Sequence, residues 1–145
     1  MLRTKIALAC DHAGYLHKNK TKEYLENKGY TINDYGCFSE ESVDYPDFAH
    51  QLAESIKKEN SDLGIQFCGT GNGINMSANK HSQIRAALCW NPHIAEQARL
   101  HNNANVLTMP ARHLEWNEVK EIIDVFLSSE FEGGRHQRRV KKISK

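Results

Sequence analysis

Short, continuously apolar runs alternate with longer amphipathic stretches along the whole chain. Five such pairs, in which no strand directly follows another, predict a parallel sheet covered by helices on both faces. The first run, Ile6-Ala7-Leu8-Ala9-Cys10, is apolar at every position, as buried parallel strands are. Tyr30 to Tyr35, Leu63 to Phe67, Ile84 to Cys89 and Asn105 to Met109 are the strands predicted to follow. Helices are expected from about Tyr15 to Lys28 before Gly29, from Pro46 onward, and from the glycine loop at 69–73 to about Lys80. Two more run from Pro92 to about Leu100 and along the face made by Val119, Ile122, Ile123, Phe126 and Leu127.

The expected fold is therefore α/β: a single-domain, three-layer α/β/α sandwich around a five-stranded parallel sheet, Rossmann-like and spanning residues 1–145. Residues 131–145 stand apart as a basic tail. Gly133-Gly134 ends the last expected helix, and Arg135, His136, Arg138, Arg139, Lys141 and Lys142 follow. On charge alone this tail reads equally well as a solvated terminus.

Charge and composition exclude several classes of function. Nineteen basic residues against eighteen acidic ones leave a formal charge of +1, so nucleic acid and membrane surfaces exert no general pull and anion binding must be local. No apolar run approaches the roughly 20 residues of a membrane span. Met1-Leu2-Arg3-Thr4-Lys5 leads straight into the first strand and does not read as a signal peptide. Four cysteines without a Cys-x-x-Cys pair fit a reducing, cytoplasmic location.

In open parallel sheets, ligands bind beyond the carboxyl ends of the strands. Those ends deliver Asp11-His12-Ala13-Gly14, Asp44-Tyr45-Pro46-Asp47, Cys68-Gly69-Thr70-Gly71-Asn72-Gly73, Trp90-Asn91 and Arg112-His113. The Cys68 loop carries most information. Its glycines let the backbone approach a ligand, and the helix that follows presents its positive end to an anion. A thiol in such a field ionises more easily, which makes Cys68 a candidate base or nucleophile. A nucleotide-phosphate turn with an incidental buried cysteine stays open. Ile74 stands where a dinucleotide fingerprint needs glycine and where a cysteine phosphatase needs arginine. No Gly-Lys-Ser/Thr, His-Glu-x-x-His or clustered Cys/His set occurs, so metal catalysis is not expected. His12, directly after an aspartate at a strand end, reads as functional. His101, within Arg99-Leu100-His101-Asn102-Asn103-Ala104-Asn105, reads from its position as a helix cap.

Taken together, Ala9 to Gly14, Asp44 to Ala49, Cys68 to Gly73, Ala78-Asn79-Lys80, Ile84 to Ala87, His101 to Leu107 and Gly133 to Val140 resemble the B type of ribose-5-phosphate isomerase. That family includes galactose-6-phosphate and allose-6-phosphate isomerases, and the resemblance covers the chain from end to end. Gln83 departs from a glycine common before Ile-Arg-Ala-Ala, which should affect a turn. Some members use a glutamate base a few residues past the loop; here Asn75-Met76-Ser77 holds no carboxylate.

The resemblance implies interconversion of D-ribose 5-phosphate and D-ribulose 5-phosphate with no metal or cofactor. Cys68 would be the base, Thr70 would assist the hydroxyl proton, and His101 would open the sugar ring. Asp11, Tyr45 and Asn102 would hold sugar hydroxyls, and the Gly69, Gly71, Asn72 and Gly73 loop the enediolate. His12, Arg112, Arg135 and Arg139 would grip the phosphate. His101 follows the fourth helix and so is expected near the amino ends of the strands, away from Cys68. This predicts a homodimer, or a dimer of dimers, with active sites shared between subunits. An isomerase of a hexose 6-phosphate and a non-catalytic nucleotide-binding module are the alternatives.

Overall fold

Five parallel strands lie in the order β2-β1-β3-β5-β4, in a computed structural model that describes residues 4–144. Residues 1–3, read above as leading into the first strand, and residue 145 lie outside the described residues. The elements run β1 (Lys5–Cys10), α1 (Tyr15–Asn27), β2 (Thr31–Asp34), α2 (Tyr45–Lys57), β3 (Leu63–Cys68), α3 (Asn72–Ala78), β4 (Ala86–Leu88), α4 (Pro92–Asn102), β5 (Val106–Pro110), α5 (Trp116–Ser128) and α6 (Arg135–Ile143). A 3-10 turn, His12–Gly14, joins β1 to α1.

The apolar strands β1, β3 and β5 form the buried centre. On one face they pack against Leu25 of α1, Ala95 and Ala98 of α4, and Val119, Ile122, Ile123 and Phe126 of α5. On the other they meet Ala49, Leu52 and Ala53 of α2 and Ile74 and Ala78 of α3. Three layers follow, as the alternating pattern predicts.

Three local differences from the sequence reading have physical causes. β4 is three residues long, because the chain before it is held by side chains. Asn79 binds Ala86 through both its amide groups, and Asn105 accepts from the Arg85 N–H while donating to the Gln83 carbonyl. α4 continues through His101 and Asn102 until Asn103 turns left-handed at φ +49°. The tail is itself helical as α6, although it buries no residue. Gln83 has φ +73°, so the glycine absent at this position would have relieved the backbone there, at a turn as expected.

α1 places Lys18, Thr21 and Leu25 on its buried stripe. The Lys18 ammonium lies 2.9 Å from both carboxylate oxygens of Asp34, the two side chains being 1% and 9% exposed. Asp34 also accepts from the Gly36 N–H at 2.9 Å, so one carboxylate ties α1 to the turn beyond β2. Removing one partner of a buried pair costs far more than the pair contributes. Asp34→Asn should therefore lower stability by about 3 kcal/mol, read as an earlier urea midpoint at unchanged slope. Lys18→Met should cost less, because Asp34 keeps Lys22 at 3.7 Å and the Gly36 amide.

Candidate active site

The carboxyl ends of β1, β3 and β5 gather one group of residues. Cys68 closes β3 beside Pro110 in the register and is 5% exposed. The Ala111 N–H donates to the Cys68 carbonyl at 2.9 Å and the Arg112 N–H to the Gly69 carbonyl at 3.1 Å. The Arg112 guanidinium lies directly over Gly69: a Cβ there would come within 2.8 Å of its Nη1. Gly71, at φ +81°, starts α3 from a conformation few other residues adopt, with Leu88 and the Met109 carbonyl packed against it. Gly73 leaves room for the Tyr45 ring, which a Cβ would strike. Thr70 and Asn72 are exposed, and the Thr70 hydroxyl accepts from the Asn72 N–H at 3.3 Å, which engages that loop amide within the chain.

From β1, Asp11 is buried and accepts the Ala13 N–H at 2.9 Å, capping its own turn with one oxygen. His12 accepts the Val43 N–H on Nδ1 at 3.2 Å. The proton of its neutral ring then sits on Nε2, free to donate. Thus Asp11, His12, Tyr45, Cys68, the glycine loop and Arg112 occupy one edge of the sheet. Trp90 and Asn91 do other work there: Trp90 packs on His113 with ring centroids 5.2 Å apart, and Asn91 caps α4 by accepting from the Ile94 N–H.

His101, Asn102, Arg135 and Arg139 form a second group at the opposite edge. Val106 pairs with Gly64 at the start of β3, while Pro110 pairs with Cys68 at its end. Those four steps span about 13 Å, and His101 lies before Val106, in the last turn of α4. The imidazole of His101 stacks on that of His136, with centroids 4.2 Å apart and planes at 12°. Glu132 sits beside both rings, and its N–H donates to the Leu100 carbonyl at 3.0 Å. Burial and the charges of His101 and Arg135 hold His136 below the ordinary imidazole pKa. Arg135 and Arg139 are exposed one helical turn apart on α6. A hollow of about 330 Å³ beside Asn102 and Ile143 lies at this edge, and one of about 210 Å³ beside Tyr45 and Gly73 lies near the Cys68 loop.

Two arrangements escaped the sequence reading. Gln66, fully buried in β3, donates to the Ile74 carbonyl and to Thr108, whose hydroxyl donates to Asn75 at 2.7 Å. This network fixes the start of α3, and a glutamine inside an apolar strand was its only signal. It also commits Asn75, while Ser77 donates to the Gly73 carbonyl at 2.9 Å. The other is the meeting of His101 with Glu132 and His136, which depends on where the tail folds and leaves no trace in residue spacing.

Comparison with known proteins agrees throughout the chain. A family model described as Ribose/Galactose Isomerase matches residues 6–143. Ribose-5-phosphate isomerase B of Escherichia coli strain K12 is 41% identical over 140 residues, which cover 97% of this chain and 94% of that protein. The crystal structure of a ribose 5-phosphate isomerase from Thermotoga maritima superposes with a TM-score of 0.96 at 49% identity, covering 99% of both chains. A Mycoplasma genitalium ribose-5-phosphate isomerase B with bound ribulose-5-phosphate gives a TM-score of 0.94 at 42% identity, covering 99% of this chain and 96% of that one.

The four thiols differ in setting. Burial, aggravated by the neighbouring Cys37, pushes the Cys10 thiol well above its usual range, and burial pushes Cys89 up to about 12. Brief iodoacetamide treatment of the folded protein, mapped by peptide mass spectrometry, should therefore label Cys68 before Cys10 and Cys89.

Proposed function

The chain belongs to the ribose/galactose isomerase family, and from that premise we propose that it interconverts D-ribose 5-phosphate and D-ribulose 5-phosphate, with Cys68 as the base. The observation that carries this reading is the seat of Cys68, at a strand end under an amide-rich loop with the Arg112 guanidinium alongside. Asn75 and Ser77, in the stretch where some members keep a glutamate, are engaged in internal hydrogen bonds, which supports the thiol further.

In the open-chain aldose, the Cys68 thiolate removes the proton on C2. The electron pair left behind forms the C1–C2 double bond of an enediolate, and the carbonyl oxygen takes up the charge. Thr70 relays the hydroxyl proton between O2 and O1, and the Cys68 thiol returns its proton to C1 to give the ketose. Amides of the Gly69–Gly73 loop other than that of Asn72, which the Thr70 hydroxyl engages, stabilise the enediolate oxygen by about 3 kcal/mol per well-placed donor. Every proton in this scheme passes between named side chains and the substrate. Asp11 and Tyr45 orient hydroxyls, and His12 and Arg112 bind the phosphate as donors.

The remaining residues come from a second copy of the chain. His101 of that copy opens the furanose, taking the proton of the C1 hydroxyl and delivering one to the ring oxygen. Asn102 orients the sugar, and Arg135 and Arg139 complete the phosphate clamp. The separation of the two residue groups along the sheet supports such a shared site. So do Met76 of α3 and Ile143 of α6, large apolar side chains left 65% and 60% exposed in one chain. The assembly is a homodimer, or a dimer of dimers, acting in the cytoplasm.

Purified protein kept under a chelator should convert ribose 5-phosphate to ribulose 5-phosphate, and Cys68→Ala should lower kcat by about 10²–10⁴-fold. Full activity in Cys68→Ala would remove the thiol from the mechanism. His101→Asn should lose turnover of ribose 5-phosphate yet still exchange deuterium from solvent into C1 of ribulose 5-phosphate, an open-chain ketose that needs no ring opening. Refolding it together with Cys68→Ala should restore turnover through hybrid sites, and a fully active monomer would end the shared-site reading.

A further inference from the structure

We propose that His101, Glu132 and His136 form a binding site for a divalent transition cation, zinc above all, whose occupation withdraws His101 from the reaction. His101 Nε2 lies 3.3 Å and His136 Nε2 lies 3.7 Å from Glu132 Oε1, and the three donor atoms lie within 4.8 Å of one another. A tetrahedral ion with zinc–nitrogen and zinc–oxygen bonds near 2.0–2.1 Å sets its donors about 3.3 Å apart. Two of the three separations are already close to that value.

The stacked rings supply the one movement required. Their planes are nearly parallel, at 12°, so one imidazole turns out of the stack before both lone pairs aim at a common point. The His101 side chain is 37% exposed and has room to do so. The hydrogen bond from the Glu132 N–H to the Leu100 carbonyl keeps the carboxylate beside the end of α4 throughout.

The donor set selects the class of ion. Two imidazoles and a carboxylate suit zinc, cobalt, nickel or copper, whereas magnesium and calcium prefer all-oxygen shells. Arg135 and Arg139 on the same helix oppose a cation, and the Glu132 carboxylate offsets one of those charges. Three protein ligands leave a fourth position open, the pattern of an exchangeable site. The ion acts here as a reversible inhibitor, since the proton transfers proposed above make no use of it.

The binding stands on this cluster alone; only its inhibitory effect rests on the ring-opening role proposed for His101. Cobalt(II) titrated into the full-length protein should produce visible d–d bands at one ion per chain, which zinc abolishes. Glu132→Gln and His136→Phe, the latter retaining the ring stack, should each weaken binding about tenfold or more, since even outer-shell partners cost that much. Cys68→Ser should leave the bands in place. Absence of the bands, or an affinity in both variants undiminished from that of the unmodified protein, would overturn the site. In activity assays zinc should inhibit the unmodified protein reversibly and His136→Phe at least tenfold more weakly. Equal zinc inhibition of the two would overturn capture of His101 while leaving the spectroscopic result to decide the site. A protein without isomerase activity would still answer the cobalt titration, so failure of the site and failure of the isomerase reading are distinguishable.

Discussion

The common direction of the five strands governs the arrangement of this molecule. Every strand runs the same way, so each loop that leaves a strand emerges on one edge of the sheet and each helix ends at the other. Asp11, Cys68 and Arg112 fall together for that reason, although they are far apart in sequence. His101 falls away from them for the same reason. Loop rearrangement cannot exchange the two edges, because β3 and β5 are buried along their length and held in register from Gly64–Val106 to Cys68–Pro110.

Within that frame the loop after β3 is held by polar contacts as well as by packing. Gln66, Thr108 and Asn75 connect two central strands to the first turn of α3 across an otherwise apolar layer. Each hydrogen bond of this kind contributes only about 1 kcal/mol net, but losing one partner strands the others in a buried setting. Gln66 Oε1 already lacks a partner among the described residues. The network therefore fixes geometry more than it adds stability, and what it fixes is the first turn of α3, which follows directly on the Cys68 loop.

Much of the Cys68 edge was legible in the sequence. Continuous apolar runs located the strands, and the rule that ligands collect past their carboxyl ends selected Asp11, His12, Tyr45, Cys68 and Arg112. The opposite edge was legible only through resemblance, since position alone read His101 as a helix cap, and it does lie in the last turn of α4. The short β4 was missed because Asn79 and Asn105 compete for its backbone with side-chain amides, and propensity does not register such competition. α6 was missed because Gly133-Gly134 reads as a breaker and Val140 and Ile143 give too little apolar period. Lys18 was recoverable: it sits on the same helical face as Thr21 and Leu25, where a charge demands a buried partner.

α6 contributes no buried residue to the core, and it hangs from two glycines at φ +72° and +57°, at either of which an added Cβ would meet open space among the described residues. It therefore adds little apolar burial to the rest of the chain, which it meets through the stack of His136 on His101. Cellular quality control removes proteins according to how often they unfold, so it acts on the side chains of α6 more weakly than on those of the core helices. What fixes the composition of α6 must be sought in the contacts its side chains make at the surface, and not in the packing of the core.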